Sequence, residues 1–165
     1  MTTPMVTEEA AKLRGAATSN LLKTALTQSD ISRTLSKLQA DIQANPPSHY
    51  ETFKDTYMDV FVKTFEGTGS LLSTAKVDMQ AIAGASAASL APTGALSQIS
   101  DAEGNLRSIA EELDKLADQI NDILNAENSR DTYISKFNQA MTSMENIQTL
   151  VRKVLNALKA MVLQA

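Results

Sequence analysis

The chain of 165 residues contains no cysteine and no tryptophan, and it has a single histidine, His49. The absence of cysteine excludes disulfide frameworks, thiolate zinc sites and cysteine nucleophiles. One histidine cannot form a two-histidine metal site within a chain, and His49 follows Pro46 and Pro47 in an expected turn. No Walker or G-x-G-x-x-G phosphate-binding pattern is present. The sequence therefore predicts no catalytic, cofactor-binding or metal site, and a protein that is not an enzyme.

Aromatic residues are also scarce, at 4% of a chain that is 43% hydrophobic. Packing must therefore rely on aliphatic side chains, which suit contacts between helices better than sheets. The formal net charge of −4 disfavours nucleic acid as a partner, because binding it requires clustered Lys and Arg. The N-terminal residues do not contain a basic segment followed by an apolar segment, so we expect no cleaved secretory signal.

No uninterrupted apolar run reaches the roughly 20 residues that a spanning helix needs. The nearest candidate, residues 81–99, is broken by Gly84, Pro92 and Gly94. Acidic residues are dense further on, but they flank apolar heptad positions and lack the Glu-x-x-His motifs of di-metal bundles. They are interpreted as a solvated helix face: Glu111, Glu112, Asp114, Asp118 and Asp122.

The first part of the chain predicts a helical hairpin. Apolar residues at intervals near three and four indicate a helix over about residues 7–43. Asn45, Pro46 and Pro47 end it, because proline lacks the amide proton and restricts the residue before it. Ser48 and Glu51 then have the spacing of a capping box, which predicts the start of the next helix. The apolar positions of the first helix are Leu21, Leu22, Ala25, Ile31, Leu35, Leu38 and Ile42.

The second helix is expected to reach about Glu66, where Gly67-Thr68-Gly69 ends it. Its aromatic and aliphatic core positions are Phe53, Tyr57, Val60, Phe61 and Phe65. A third helical stretch covers residues 70–82 and leads into residues 83–99, a linker or loop rich in Ala, Ser, Gly and Pro. Residues 1–82 are thus an N-terminal hairpin region, and residues 100–165 a C-terminal hairpin of the same structural unit.

The C-terminal region predicts an antiparallel coiled coil. Ser100 and Glu103 repeat the capping-box spacing, and apolar residues then alternate at intervals of three and four, which defines a heptad seam. Residues 101–127 hold eight acids and two bases, whereas residues 129–165 hold five bases and two acids, a charge pattern that favours their pairing. The seam comprises Leu106, Ile109, Leu113, Leu116, Ile120 and Ile123. The predicted fold is all-α, an elongated bundle of helical hairpins with a long C-terminal coiled coil.

From Leu150 onward the apolar positions cover more than half of the last helix, which a single partner helix cannot bury. Two explanations are open: burial in the core of the same chain, or contact with another copy. The predicted assembly surface consists of Ile147, Leu150, Val151, Val154, Leu155, Leu158, Met161 and Val162.

The segment from Leu35 to Asp41, followed by Asn45-Pro46-Pro47-Ser48 and by Tyr50, Phe53 and Tyr57, resembles the helix–proline turn–helix of type III secretion needle subunits. The similarity covers about 30 residues of the chain, and the two prolines are adjacent here rather than separated. Composition without cysteine or tryptophan and an expected C-terminal coiled coil also resemble filament, needle and tip proteins of such systems. The resemblance implies self-assembly and an extracellular location reached without a cleaved signal.

The leading functional hypothesis is a self-assembling structural subunit of a filament or needle-like assembly, polymerising through the C-terminal helix. Its partners would be further copies of the chain and a secretion chaperone. The first alternative is a membrane-active toxin or translocator component that engages lipid through residues 81–99 or the last helix. The second is a cytoplasmic chaperone or adaptor that binds a partner's helix.

Overall fold

Long helices account for nearly all of the described chain. The computed structural model describes the backbone of residues 4–88 and 94–164, and side chains over residues 15–16, 18–82 and 99–161. The elements in chain order are α1 (Pro4–Ala44), α2 (Tyr50–Phe53), a π-helical segment (Lys54–Met58), α3 (Asp59–Ala88), α4 (Gly94–Leu124) and α5 (Arg130–Gln164). The short α2, the π-helical segment and α3 follow one another without a break, so they form one long helix.

These helices pack as a four-helix bundle of two hairpins, which confirms the predicted all-α class. Helix α1 packs against α3, and α4 packs against α5. Contacts between α1 and α5 and between α3 and α4 join the two hairpins, and α3 also contacts α5 across the middle. Helices α1 and α4 are not among the packed pairs, so they occupy opposite corners. At 1.5 Å per residue, α5 makes the bundle about 50 Å long.

The predicted turn at Asn45, Pro46 and Pro47 is present, because α1 ends at Ala44 and α2 begins at Tyr50. The predicted capping box is wrong. The N-cap is His49, in an extended conformation and without a side-chain cap, so Ser48 lies one residue too early to serve. Side chains from other elements hold the turn instead, since the Tyr57 hydroxyl donates to the Asn45 carbonyl at 3.1 Å.

Because of the π-helical segment, the side chain of Phe53 rather than that of Lys54 enters the core. If residues 53–61 formed a regular α-helix, the inward-facing positions one and two turns before Phe61 would be Tyr57 and Lys54. Phe53 would then lie to one side of the inward face. A π turn holds one extra residue, which rotates the preceding turn relative to the rest of the helix. Phe53 is consequently fully buried and Lys54 is exposed.

The predicted helix end at Gly67-Thr68-Gly69 is also wrong, because α3 continues through these residues to Ala88. A glycine within a helix costs only about 1 kcal/mol relative to alanine. Burial of Thr68 and Leu71 against neighbouring helices offsets this cost. A Cβ added to Gly67 would lie 3.6 Å from Ile31 Cδ1, which shows how closely α1 approaches α3 here.

The linker expected at residues 83–99 is shorter than predicted. Residues 83–88 belong to α3 and residues 94–99 belong to α4, while residues 89–93 lie outside the described residues. The second predicted capping box is therefore wrong, because Ser100 lies inside α4 rather than at its start.

The heptad seam of the C-terminal hairpin is confirmed, since all six of its residues are buried and α4 packs against α5. Opposite charges contribute less than expected. Over the described side chains, the two ion pairs are Arg33 with Asp30 and Lys115 with Glu112, each within a single helix. Exposed pairs of this kind contribute little, so apolar contacts hold the α4–α5 hairpin together.

Deleting Thr56 from the π-helical segment is expected to leave the bundle folded. The segment then closes as an α-helix while Phe53 keeps its inward position. Deleting Thr74, which is also exposed but lies in regular helix, rotates one part of α3 against the other by about 100°. Urea unfolding should show a loss within about 1 kcal/mol for the first deletion and of about 3 kcal/mol or more for the second. Equal losses would contradict this account of the π turn.

Candidate interaction surfaces

The predicted assembly surface on the last helix lies mostly inside the chain's own core. Its buried members are between 0% and 6% exposed, and Leu150 is half-buried. The side chain of Val162 lies outside the described residues. Because α5 packs against α1 and α3 as well as α4, three helices cover a surface that one could not. Of the two explanations left open by the sequence, burial within the same chain accounts for these residues. The buried members are Ile147, Val151, Val154, Leu155, Leu158 and Met161.

A buried polar layer links three of the four helices in the middle of the bundle. Gln148 Nε2 donates to Thr68 Oγ1 at 2.9 Å and lies 3.5 Å from Met144 Sδ. Gln28 Nε2 donates to Gln148 Oε1 at 3.2 Å and to Ser32 Oγ at 2.8 Å. A buried amide without partners costs about 1–3 kcal/mol, so these bonds fix the register of α1, α3 and α5. The polar layer consists of Gln28, Thr68 and Gln148.

A second buried polar contact joins α1 to α3 alone. The carboxylate of Asp78, which is 1% exposed, accepts a hydrogen bond of 2.5 Å from the Thr24 hydroxyl. This contact places residue 24 of α1 beside residue 78 of α3. Sequence analysis missed both polar contacts, although Thr24 and Gln28 continue the heptad positions of Leu21 and Ile31. Polar residues at such positions are the signal that could have found them.

The end of the bundle that carries the two turns is held by aromatic rings and by side-chain donors to backbone carbonyls. Phe53 lies 4.6 Å from Tyr133 and 5.3 Å from Phe137, measured between ring centroids. The Tyr50 hydroxyl donates to the Leu124 carbonyl at 3.4 Å, and Arg130 Nε donates to the Pro47 carbonyl at 2.8 Å. Burial, and then the nearby charge of Glu127, raise the pKa of Tyr50 above its ordinary value. These contacts hold the two turns of the bundle together.

Two shallow grooves run along the outside of α5. One lies between α5 and the first turn and is lined by Pro46, Arg130, Ile134 and Asn138 among others. The other lies between α1 and α5 and is lined by Ser36, Glu145, Thr149 and Arg152 among others. The groove between α1 and α5 has mainly polar walls, whereas the groove beside the first turn has polar and apolar surface in similar amounts. Over the described side chains, no group of three or more His, Asp or Glu residues could hold a metal ion.

Large apolar side chains are exposed at one level of the bundle. Leu22 is 59% exposed, Leu26 is 66% exposed and Val77 is 60% exposed. Leu22 was expected in the core with Leu21, but only Leu21 faces inward. The bond between Thr24 and Asp78 shows that these three residues of α1 and α3 lie at the same height. Leu22 and Leu26 are one turn apart on the same side of α1, and we call them the apolar patch; Val77 lies at the same height on α3.

Helix α4 presents a different surface, which is strongly acidic. Between residues 101 and 122 it carries seven acids and two bases, and nearly all are exposed. The solvated helix face expected from the sequence is thus present. We call the acids of this helix the acidic face: Asp101, Glu103, Glu111, Glu112, Asp114, Asp118 and Asp122.

Comparison with protein-family models, curated proteins and solved structures finds no match to this chain. Within the described ranges, no helix is both long enough and apolar enough to cross a bilayer.

Replacing Gln148 with alanine is expected to reduce the free energy of unfolding by about 1–3 kcal/mol, because Gln28 and Thr68 lose their buried partner. Asn146 lies on the same helix and is exposed, so Asn146→Ala serves as the matched control and should change stability by no more than about 0.5 kcal/mol. Chemical denaturation of both variants measures the difference. A loss for Gln148→Ala as small as that of the control would show that the polar layer does not fix the register.

Proposed function

We propose that this protein is a non-enzymatic structural subunit that self-assembles as a folded four-helix bundle into a filament or needle-like array. The observation that carries the proposal is the apolar patch, whose residues Leu22 and Leu26 are 59% and 66% exposed one turn apart on α1, with the 60% exposed Val77 at the same height on α3. Single exposed apolar residues are ordinary, whereas a group of them typically marks an interaction surface. The rigid, elongated bundle is well suited to serve as a repeating unit.

Assembly through the C-terminal helix, as expected from the sequence, would require the bundle to open. Six predicted assembly residues are buried in the chain's own core, and exposing each such side chain costs about 1.5–3 kcal/mol. Their sum is comparable with the entire stability of a typical domain, about 5–15 kcal/mol. The proposal therefore places the contacts between copies on exposed surfaces, with α5 holding each copy together.

The proposed cellular location, export route and chaperone of the assembly are based on the resemblance to type III secretion needle subunits around Asn45, Pro46 and Pro47. It includes an extracellular location, export without a cleaved signal, and a chaperone partner before export. The membrane-active and adaptor alternatives would use the same exposed side chains for a different partner, so the test must distinguish them.

Sedimentation velocity of the full chain over a wide concentration range tests the proposal. The sedimentation coefficient is expected to rise with concentration, and electron microscopy of the concentrated sample should show elongated particles. Leu26→Ser should weaken this assembly, because Leu26 is the most exposed residue of the apolar patch. Thr34 is also exposed and lies about two turns after Leu26 on α1. Thr34→Ser is therefore the matched control and should assemble like the parent chain.

A wild-type chain that stays monomeric at every concentration would contradict self-assembly. Flotation of that monomer with vesicles of anionic phospholipid would then favour the membrane-active alternative. A monomer that neither floats nor assembles would leave the adaptor alternative.

A further inference from the structure

We infer that helix α3 opens locally at residues 64–69 while the rest of the bundle stays folded. We call residues 64–69 the opening segment. The opening takes place within a single copy, so it goes beyond the proposed self-assembly and does not depend on it. Segments that open in this way have few buried apolar contacts and a weakly stabilised backbone, and residues 64–69 have both properties.

The opening segment contributes no fully buried apolar side chain to the core. All side chains between Phe61 and Leu71 are described, and the two that are buried belong to Thr64 and Thr68. Phe65 is only partly buried. Because hydrophobic stabilisation is proportional to the apolar area removed from water, opening this segment exposes little of the surface that holds the bundle together.

The neighbouring stretch of α1 is polar in the same way. Between Leu21 and Ile31, where every side chain is described, the buried ones are those of Thr24 and Gln28. Helix α4 differs, since its buried apolar residues recur every three or four positions over residues 102–123. At mid-length, the side of the bundle formed by α1 and α3 therefore has fewer apolar contacts than the side formed by α4 and α5.

The backbone of the opening segment has a weak helix propensity. Gly67 and Gly69 flank Thr68, and each glycine lowers the equilibrium constant for helix formation about fivefold relative to alanine. Packing does not require either glycine. A Cβ added to Gly69 would have no neighbour within 4 Å, and a Cβ added to Gly67 would lie 3.6 Å from Ile31 Cδ1, an ordinary contact distance. Alanine would fit at both positions, so the two glycines weaken the helix where space does not demand them.

The buried threonines weaken the same turns further. Thr64 Oγ1 donates to the Phe61 carbonyl at 2.6 Å, and Thr68 Oγ1 donates to the Thr64 carbonyl at 2.7 Å. Hydroxyls that bond to carbonyls of the preceding turn compete with the helical backbone and slightly destabilise it. When α3 opens, Gln148 loses Thr68 but keeps its hydrogen bond with Gln28. The polar layer therefore keeps one of its two links during the opening.

The residues on both sides of the opening segment are held in the core. The ring centroid of Phe61 lies 5.4 Å from that of Phe137. On the other side, Leu71 and Ala75 are 3% and 2% exposed. These contacts confine the opening to the residues between them. The segment can also close again without a new nucleation step, because helix remains at both of its ends.

Amide hydrogen exchange of the dilute, monomeric chain, followed by NMR, tests the inference. After correction for intrinsic rates, the amides of residues 65–70 are expected to exchange at least about tenfold faster than those of the α4 seam from Leu106 to Ile123. Low concentrations of guanidinium should leave exchange in the opening segment unchanged, because little surface is exposed there. The same concentrations should accelerate exchange of the α4 seam, which requires global unfolding.

Two glycine variants separate local opening from global unfolding. Gly104 lies inside α4, and a Cβ added to it would also have no neighbour within 4 Å. Gly69→Ala is expected to slow exchange in the opening segment about fivefold. Gly104→Ala, the matched control, stabilises the folded chain as a whole, so it should slow exchange of the α4 seam by a similar factor. It should leave exchange of residues 65–70 unchanged, because Gly104 takes no part in the local opening.

Three results would overturn the inference. Equal protection of residues 65–70 and the α4 seam in the wild type would show that α3 does not open separately. Acceleration of both segments by low guanidinium would show that the opening exposes as much surface as unfolding does. Slower exchange of residues 65–70 in Gly104→Ala would show that these amides exchange only when the whole bundle unfolds.

Discussion

The rest of the structure depends on the packing of α5 against three other helices at once. A helix with apolar side chains around more than half of its circumference is stable in water only when several neighbours cover it. Helix α4 covers one side, and α1 and α3 cover the remainder. Because the covering helices come from both halves of the chain, the N-terminal hairpin cannot be an independent appendage. The two hairpins form one bundle around α5.

This packing leaves the two parts of the bundle with different surfaces. At the turn end, aromatic rings pack against one another, and the Tyr50, Tyr57 and Arg130 side chains donate to backbone carbonyls. Further along, the polar layer sets the register, and beyond it the contact between Thr24 and Asp78 brings the apolar patch of α1 and Val77 of α3 to one height. The acidic face lies on α4, at the corner of the bundle diagonal to α1.

Much of the fold could be predicted from the sequence where the signal is local. The proline turn at Asn45–Pro47 and the heptad seam from Leu106 to Ile123 depend on nearby residues alone, and both are present. Continuation of α3 through Gly67 and Gly69 could not be predicted, because the helix is stabilised there by burial against α1 and α5. The π turn likewise responds to distant aromatic rings around Phe53.

The candidate surfaces were harder to predict for the same reason. The apolar positions after Leu150 are consistent with either an intermolecular or an intramolecular contact, and only the arrangement of all four helices shows that they are covered. Leu22 and Leu21 are adjacent and chemically identical, yet one is exposed and the other buried. The buried polar contacts of α1 were missed, although Thr24 and Gln28 occupy heptad positions of that helix and so gave a local signal.

Hydrogen exchange of the dilute, monomeric chain tests most directly whether α5 is covered by its own bundle. Exchange of amides between Ile147 and Met161 should be as slow as that of the α4 seam, and it should not change with protein concentration, because opening α5 requires global unfolding. Fast exchange in this segment at low concentration, with protection that appears only as copies associate, would show that α5 is covered by other copies and would contradict the account.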